Sequence, residues 1–473
     1  MPRKKKQVPA VSADKILDFT KSQTREDWEE ICSKSLNGWV RLVPIDQLYP
    51  YSKHTRKILK QSIKKLAKGI DEFGFLVPVL AKPGGTVISG HIRILAAKIA
   101  GLTHVPVIYI DHLTDAQITA FRIFDNRIVE EGEWDKDALA AEFQVLIDMN
   151  FDVNLTGFET GRVDFIIGEQ RDSANINDDT IPPVDEKAFI VTQIGDTYVL
   201  DQHSLICATA RHPQSYVRLM GNEMAQMVIT DMPYNVKIKG NVGGGGSVKH
   251  SEFVEASGEL SYQGFNEFLD DVISNLISHS VDGSVHDLFI DWRHLHQLQS
   301  ICNAHYSRQL NLCIWAKTNG GMGSLYRSQH ELVVVYKNGA EPHINNVQLG
   351  TYGRNRTNVW TYEGANSINP ERREELKLHP TVKPTKLIED AILDCSEHNG
   401  IILDPFCGSG TILIACENTG RVARTMELDP RYVDVAIRRW QDYTGGTAIH
   451  AQTGRTFDEL SEIRDSEGRG VGV

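Results

Sequence analysis

The run Leu403-Asp404-Pro405-Phe406-Cys407-Gly408-Ser409-Gly410-Thr411 reads as the end of a buried strand, Ile401-Ile402-Leu403, turning through glycines into a helix that opens Thr411-Ile412-Leu413-Ile414-Ala415. Strand, glycine turn and helix in that order belong to an open α/β sheet, where ligands gather at the carboxyl ends of the strands. Gly408, Ser409 and Gly410 let a ligand approach the backbone without Cβ clashes, and the helix start offers free N–H groups. The following strand, Val422-Ala423-Arg424-Thr425-Met426, ends at Glu427. That carboxylate follows the turn by about 20 residues, the spacing at which dinucleotide folds hold ribose hydroxyls. Phe406 supplies an apolar wall for a purine.

Far upstream, the apolar strand Met227-Val228-Ile229 delivers Thr230-Asp231-Met232-Pro233-Tyr234-Asn235. An exocyclic amine on a planar base is a poor nucleophile because its lone pair is delocalised into the ring. A carboxylate accepting its N–H groups favours sp³ character and aims the lone pair. Tyr234 offers a face on which an extruded base can stack, and Pro233 stiffens the turn that holds both. Methyl transfer to such an amine rests chiefly on positioning and electrostatics. Asp231, Pro233 and Tyr234 are therefore the expected catalytic residues.

With both motifs in view, the second half of the chain resembles the DNA amino-methyltransferases of the β class. Their catalytic motif is (Asp/Asn/Ser)-Pro-Pro-(Tyr/Phe/Trp), and their cofactor motif is Asp-Pro-Phe-x-Gly-Ser-Gly-Thr, in that order. His379-Pro380-Thr381-Val382-Lys383-Pro384 resembles the family's cofactor-contacting segment, and Met426-Glu427-Leu428-Asp429-Pro430-Arg431-Tyr432 its ribose-binding strand end. The resemblance implies S-adenosylmethionine as cofactor, held by Asp404, Pro405, Phe406, Gly408, Ser409, Gly410, Thr411 and Glu427, with Thr381 and Lys383 at the methionine carboxylate. It implies transfer to N6 of adenine in double-stranded DNA after base flipping, within restriction–modification. An acid at the motif's head is common among adenine enzymes, whereas many N4-cytosine enzymes carry serine there. The alternatives are N4-cytosine methylation, or a ParB-like DNA-binding or partition protein whose methyltransferase domain is inactive. Two departures stand out. Met232 replaces the first proline, and Cys207-Ala208-Thr209-Ala210 stands where relatives often carry Cys-Gly-Asp.

Between the motifs, residues 305–378 interleave Arg308, Lys317, Arg327, Arg354 and Arg356 with tyrosines and tryptophans, a pattern suited to phosphates and stacked bases. They are the expected DNA-binding residues, and family order places target recognition there. His330-Glu331 precedes Leu332-Val333-Val334-Val335 and reads as a strand opening rather than a catalytic or metal pair.

The first half also alternates strands and helices. In it, Ser89-Gly90-His91-Ile92-Arg93 leads from strand to helix, a candidate anion site at Gly90, His91 and Arg93. Together with Pro44-Ile45-Asp46-Gln47-Leu48, Glu72-Phe73-Gly74-Phe75, Val105-Pro106-Val107 and Asp125-Asn126-Arg127, it resembles the ParB/sulfiredoxin superfamily. That resemblance implies a nucleotide or phosphate ligand.

The resulting organisation is a flexible basic N-terminal arm (1–37), a smaller α+β ParB-like domain (38–168), an acidic Asn/Ser/Pro-rich linker (169–188), a Rossmann-like α/β methyltransferase domain (189–454) and a tail (455–473). Gly240-Asn241-Val242-Gly243-Gly244-Gly245-Gly246-Ser247 reads as a mobile loop beside the catalytic motif. A net charge of −12 does not advertise nucleic-acid binding, so any DNA surface must be local. The 7 cysteines include no Cys-x-x-Cys pair, which argues against a zinc ribbon or disulfide scaffold and for a reducing cytoplasm in a bacterial, phage or mobile-element setting. No metal is expected, and no apolar stretch reaches the ~18 residues of a membrane span. Self-association as a homodimer stays open.

Overall fold

The computed structural model describes residues 40–50, 59–131, 134–149, 151–171, 189–235, 256, 258–318, 320, 325–351, 354–362 and 383–470. The N-terminal arm, most of the expected linker, the glycine-rich loop at 240–247 and Thr381 lie outside them. Two compact units emerge, Met1–Asp135 with Asn154–Gly157, and Lys136–Val153 with Phe158–Val473.

The first unit contains β1 (Arg41–Pro44), α1 (Lys60–Phe73), β2 (Val79–Ala81), β3 (Val87–Ser89), α2 (His91–Ile99), β4 (His104–Tyr109) and α3 (Asp115–Glu131). Its four strands run in the order β1-β4-β2-β3. The helical period in α1 turns Ile63, Leu66, Ala67 and Ile70 inward and leaves Lys60, Lys64 and Lys68 exposed. Val79, Val87, Val105 and Val107 fill the space over the sheet.

The second unit begins with α4 (Lys136–Asp148) and α5 (Thr160–Arg171), earlier than the boundary at 168 read from the sequence. These helices pack Phe143 against Val163 and Ile166. They join the larger unit through Asp164, whose carboxylate takes both terminal nitrogens of the fully buried Arg421 at 3.0 Å.

Then follow β5 (Thr197–Leu200), β6 (His203–Cys207), α6 (Pro213–Met220), β7 (Ala225–Asp231), α7 (Tyr262–Ser278), β8 (Ser280–Ile290), α8 (Leu295–His305), β9 (Arg308–Lys317), β10 (His330–Lys337) and β11 (Val359–Tyr362). The chain continues through α9 (Thr385–Cys395), β12 (Ile401–Asp404), α10 (Thr411–Thr419), β13 (Val422–Glu427), α11 (Pro430–Thr444), β14 (Ile449–His450) and α12 (Phe457–Gly470). The strands form one sheet, β11-β9-β10-β8-β7-β12-β13-β6-β5-β14. Its centre, from β8 to β6, is parallel. Such strands are covered on both faces, which explains their unbroken apolar runs. Helix α12 corrects the expected tail. Phe457 and Leu460 are buried in the main core, and Thr456 and Glu459 cap the helix start reciprocally, each side chain taking the other's backbone N–H.

The order of the central strands decides where a ligand can sit. From β7 the chain moves outward to β8, whereas from β12 it moves the opposite way to β13. The switch point of the sheet therefore lies between β7 and β12, the two strands that carry Asp231 and Asp404.

Candidate active site

One cavity at this switch point is lined by both motifs, Asp231 to Tyr234 on one side and Asp404 to Ser409 with Thr411 on the other. Phe289, Glu331, Lys383, Glu427, Leu428, Asp429 and Tyr432 are also in its wall.

The glycine turn has the conformation that its residues demand. Gly408 and Gly410 both lie at positive φ, +53° and +84°, and Gly410 starts α10. A Cβ on Gly410 would stand 3.0 Å from the Cβ of Ala436, so the glycine also lets α10 pack on α11. Asp404 Oδ1 accepts from the Phe406 N–H at 3.0 Å and the Thr230 hydroxyl at 2.8 Å. Glu427 accepts from the N–H groups of Gly408 at 2.9 Å and Asp429 at 2.8 Å. Burial pushes both carboxyls up to about 7, despite these hydrogen bonds. Their partners are neutral donors, which leaves two carboxylates, Asp404 buried and Glu427 half-buried, facing a cavity that suits a cationic ligand. Beneath the turn, Arg439 donates to the Ser409 carbonyl at 3.3 Å and the Thr411 hydroxyl at 3.1 Å. Ser409 and Thr411 are thus held from below as well as lining the cavity.

The Asp231 motif ends in a further left-handed residue, Asn235, at φ +51°. Its side chain takes the N–H groups of Gly258 and Leu260 and donates to the Leu260 carbonyl. This ties the end of the motif to the entrance of α7. Met232, in place of a proline, is buried in the core beneath β7.

Lys383 sits immediately before α9 and bridges two acids. Its Nζ lies 2.5 Å from Asp231 Oδ2 and 2.9 Å from Glu331 Oε2. The Tyr234 hydroxyl meets the same pair, Asp231 Oδ1 and, at 3.1 Å, Glu331 Oε2. Lys317 closes the group at 2.5 Å from Glu331 Oε1. The rings of Phe289, Trp315 and Tyr234 surround the Lys383 ammonium at 5.1, 5.6 and 5.9 Å. Burial pushes the Asp231 carboxyl up, Lys383 pulls it down and Glu331 pushes it up again, for a net rise. Burial also pushes Glu331 up, but Lys383 and Lys317 outweigh it and hold that carboxyl at about 2. For Lys383, burial favours the neutral amine, and the two acids prevail to raise its pKa.

Glu331 reaches the site because β10 runs antiparallel to β8, which returns its first residues to the sheet edge where β7 ends. His330 and Glu331 open β10 as their sequence context indicates, and Glu331 in addition lines the cavity. Lys317, expected at DNA, ends β9 at the same edge and faces Glu331 instead. Lys383, expected at the methionine carboxylate, lies between Asp231 and Glu331.

The remaining basic residues separate. Arg327 is exposed in the connection between β9 and β10, at the site's edge of the sheet. Arg308 opens β9 at the opposite edge. Arg354 and Arg356 are 11% and 18% exposed in their side chains and pair with Asp394 of α9 at 2.8 and 2.9 Å, so both charges are satisfied within the fold. In the first unit, Gly90 caps α2 at φ +103°, packed so closely on Val79 that a Cβ would lie 3.2 Å from it. His91 opens that helix, and Arg93 donates to the Pro78 carbonyl at 3.3 Å.

Comparison with known proteins matches residues 225–438 to a DNA methylase family, 137–193 to the ParB-methyltransferase HTH domain and 31–127 to the ParB N-terminal domain. Type II methyltransferase M.HpaI of Haemophilus parainfluenzae is 25% identical over 279 residues, 56% of this chain and 82% of that protein. The ParB-like nuclease domain-containing protein YnaK of Escherichia coli is 36% identical over 74 residues, 16% of this chain and 85% of that protein. The crystal structure of the M1.HpyAVI–SAM complex aligns with a TM-score of 0.35 and 17% identity, over 50% of this chain and 98% of that one.

Proposed function

Since the chain belongs to the N6/N4 DNA methylase family, with a ParB N-terminal domain and a ParB-methyltransferase HTH domain ahead of the methylase, we propose that it transfers a methyl group from S-adenosylmethionine to N6 of adenine in duplex DNA. The observation that carries this reading is the single cavity joining the carboxyl ends of β7 and β12, with Asp231 on one side and the glycine turn on the other. Kinship with a type II methyltransferase supports a place in restriction–modification.

S-adenosylmethionine, when bound, supplies a methyl group on a positively charged sulfur. The residues present fit it. Asp404 and Glu427 give the cavity negative charge without a cationic partner of their own, Gly408 to Gly410 admit the amino-acid end, and Glu427 suits the ribose hydroxyls. Phe406, Leu428 and Tyr432 offer apolar surface to the purine. On the other side Tyr234 stacks on the extruded base, and Asp231 accepts its amine N–H so that the nitrogen lone pair points at the methyl group. The carboxylate at the head of the catalytic motif supports adenine over cytosine. In the first unit, Gly90, His91 and Arg93 are the candidate anion site, and Arg93→Ala is expected to weaken any nucleotide bound there.

The test is incubation of the full-length protein with isotopically labelled cofactor and mixed-sequence duplex DNA, followed by digestion to nucleosides and mass spectrometry. Labelled N6-methyladenine is the expected product. N4-methylcytosine alone would overturn the choice of base, and no transfer would favour a DNA-binding protein with an inactive methyltransferase fold.

A further inference from the structure

We propose that Glu331 is a positioning residue, the alternate acceptor that frees Asp231 to receive the target amine. The inference rests on the methyltransferase reading above and assigns a role in it to a strand residue that neither motif contains.

At rest both oxygens of Asp231 are engaged, Oδ1 by the Tyr234 hydroxyl and Oδ2 by the Lys383 ammonium. Both donors also reach one oxygen of Glu331, at 3.1 and 2.9 Å. Tyr234 has a single hydroxyl hydrogen and two acceptors within reach, so it donates to one acid at a time. When an amine N–H approaches Asp231, Tyr234 turns its hydrogen to Glu331 and Lys383 keeps the same acid as partner. Asp231 then exchanges internal hydrogen bonds for the substrate's, and neither buried donor is orphaned. Without Glu331 the exchange would strand a hydroxyl and a cation inside the protein, a cost that falls on base entry. Lys317 holds Glu331 in place from its other oxygen.

The charged and titratable groups around Asp231 are Tyr234 from its own loop, Glu331 on β10, Lys317 on β9, Lys383 before α9 and Asp404 on β12. Among them Glu331 pushes the Asp231 carboxyl up. Its removal therefore lets Asp231 ionise at lower pH even as the exchange of hydrogen bonds fails. A residue that merely braced the fold would not couple those two effects.

The experiment compares wild type, Glu331→Gln, Tyr234→Phe and their double variant in single-turnover methyl transfer to duplex DNA across pH, with cofactor binding by calorimetry. Glu331→Gln is expected to slow transfer about 10- to 100-fold, the scale of losing a charged hydrogen-bond partner. Its cofactor affinity should stay unchanged, and the acid limb of its pH–rate profile should move to lower pH. In the Tyr234→Phe background the further loss should be smaller, because the hydroxyl to be received is absent. Lys317→Met combined with Glu331→Gln keeps the buried charges balanced should the single variant fail to fold, and is expected to show the same slowing and the same shift. Near-wild-type transfer by either Glu331 variant, an unmoved acid limb, or additive losses would overturn the proposal while the wild type still methylates. A wild type that methylates neither base would overturn the functional reading and this inference together.

Discussion

The Thr230 hydroxyl donates to Asp404 Oδ1 at 2.8 Å, joining the residue before Asp231, the proposed catalytic aspartate, to the first residue of the glycine-turn motif across 174 positions of sequence. Neighbouring parallel strands bring them together, with Leu403 opposite Val228. The bond helps to keep Asp404 ionised against its burial. Thr230→Val retains the shape and removes the hydroxyl. It should destabilise the protein by about 1–3 kcal/mol, the cost of stripping a partner from a buried acceptor. Asp404 should also titrate higher and cofactor affinity near neutral pH should fall. Unfolding and calorimetric titrations test both effects, and an unchanged dissociation constant would disconnect Asp404 from the cofactor.

Asp231→Asn preserves the volume of the side chain and removes its charge. Methyl transfer should fall by at least ~100-fold, the scale of removing one preorganised electrostatic group. Cofactor binding should persist, because Asp404, Glu427 and the glycine turn are untouched. Lys383 keeps Glu331 at 2.9 Å in this variant, so the fold should hold. Turnover near the wild-type rate would remove Asp231 from the chemistry.

The catalytic and cofactor motifs were legible because each is a short local pattern, an apolar strand followed by residues with one stereochemical purpose. Glu331 was not legible as a site residue, since an acid before an apolar run has no distinctive spacing. Its arrival beside Asp231 depends on the antiparallel return of β10, a matter of topology rather than period. Arg354 and Arg356 looked like DNA contacts by composition, yet their partners are acids on a helix some 40 positions downstream. Thr456 and Glu459 carried a readable capping box that the polar composition of the C-terminal segment obscured. Helix α5 has almost no amphipathic contrast and α4 little, so the sequence marks neither the face they bury nor the neighbour that covers it.

Cofactor binding should depend on pH with a definite sign. Asp404 and Glu427 lie at about 7, above the ordinary carboxylate values, with burial as the main cause. Folding thus favours their protonated forms. The stability they contribute is fully present below the ordinary carboxylate values and is lost as pH rises through about 7. A sulfonium or ammonium cation in the cavity favours the ionised forms. Affinity should therefore rise on going from about pH 6 to about pH 8, with protons released on binding. Calorimetry in buffers of different ionisation enthalpy measures that release. Flat affinity with no release would mean that neither carboxylate meets the cation.

A buried ion pair helps to tie α5 to the sheet domain. Arg421 is fully buried, and besides Asp164 it bonds the Ser396 carbonyl at 3.0 Å and the Ser396 hydroxyl at 3.1 Å. Burial pushes the Asp164 carboxyl up, and Arg421 with His398 overcomes this to hold it at about 2. The stabilisation is present above the ordinary carboxylate value and is lost as pH falls through about 2. Asp164→Asn leaves a buried guanidinium without its counter-charge and should cost about 3–5 kcal/mol. If the pair anchors the helices, hydrogen exchange in 136–171 should accelerate in this variant while β7, β12 and β13 keep their protection. Replacing both partners, Asp164→Leu with Arg421→Met, should recover most of the loss because no charge is then left unpaired. Uniform acceleration across the sheet in Asp164→Asn would instead show that the helix pair and the methylase core unfold as one body.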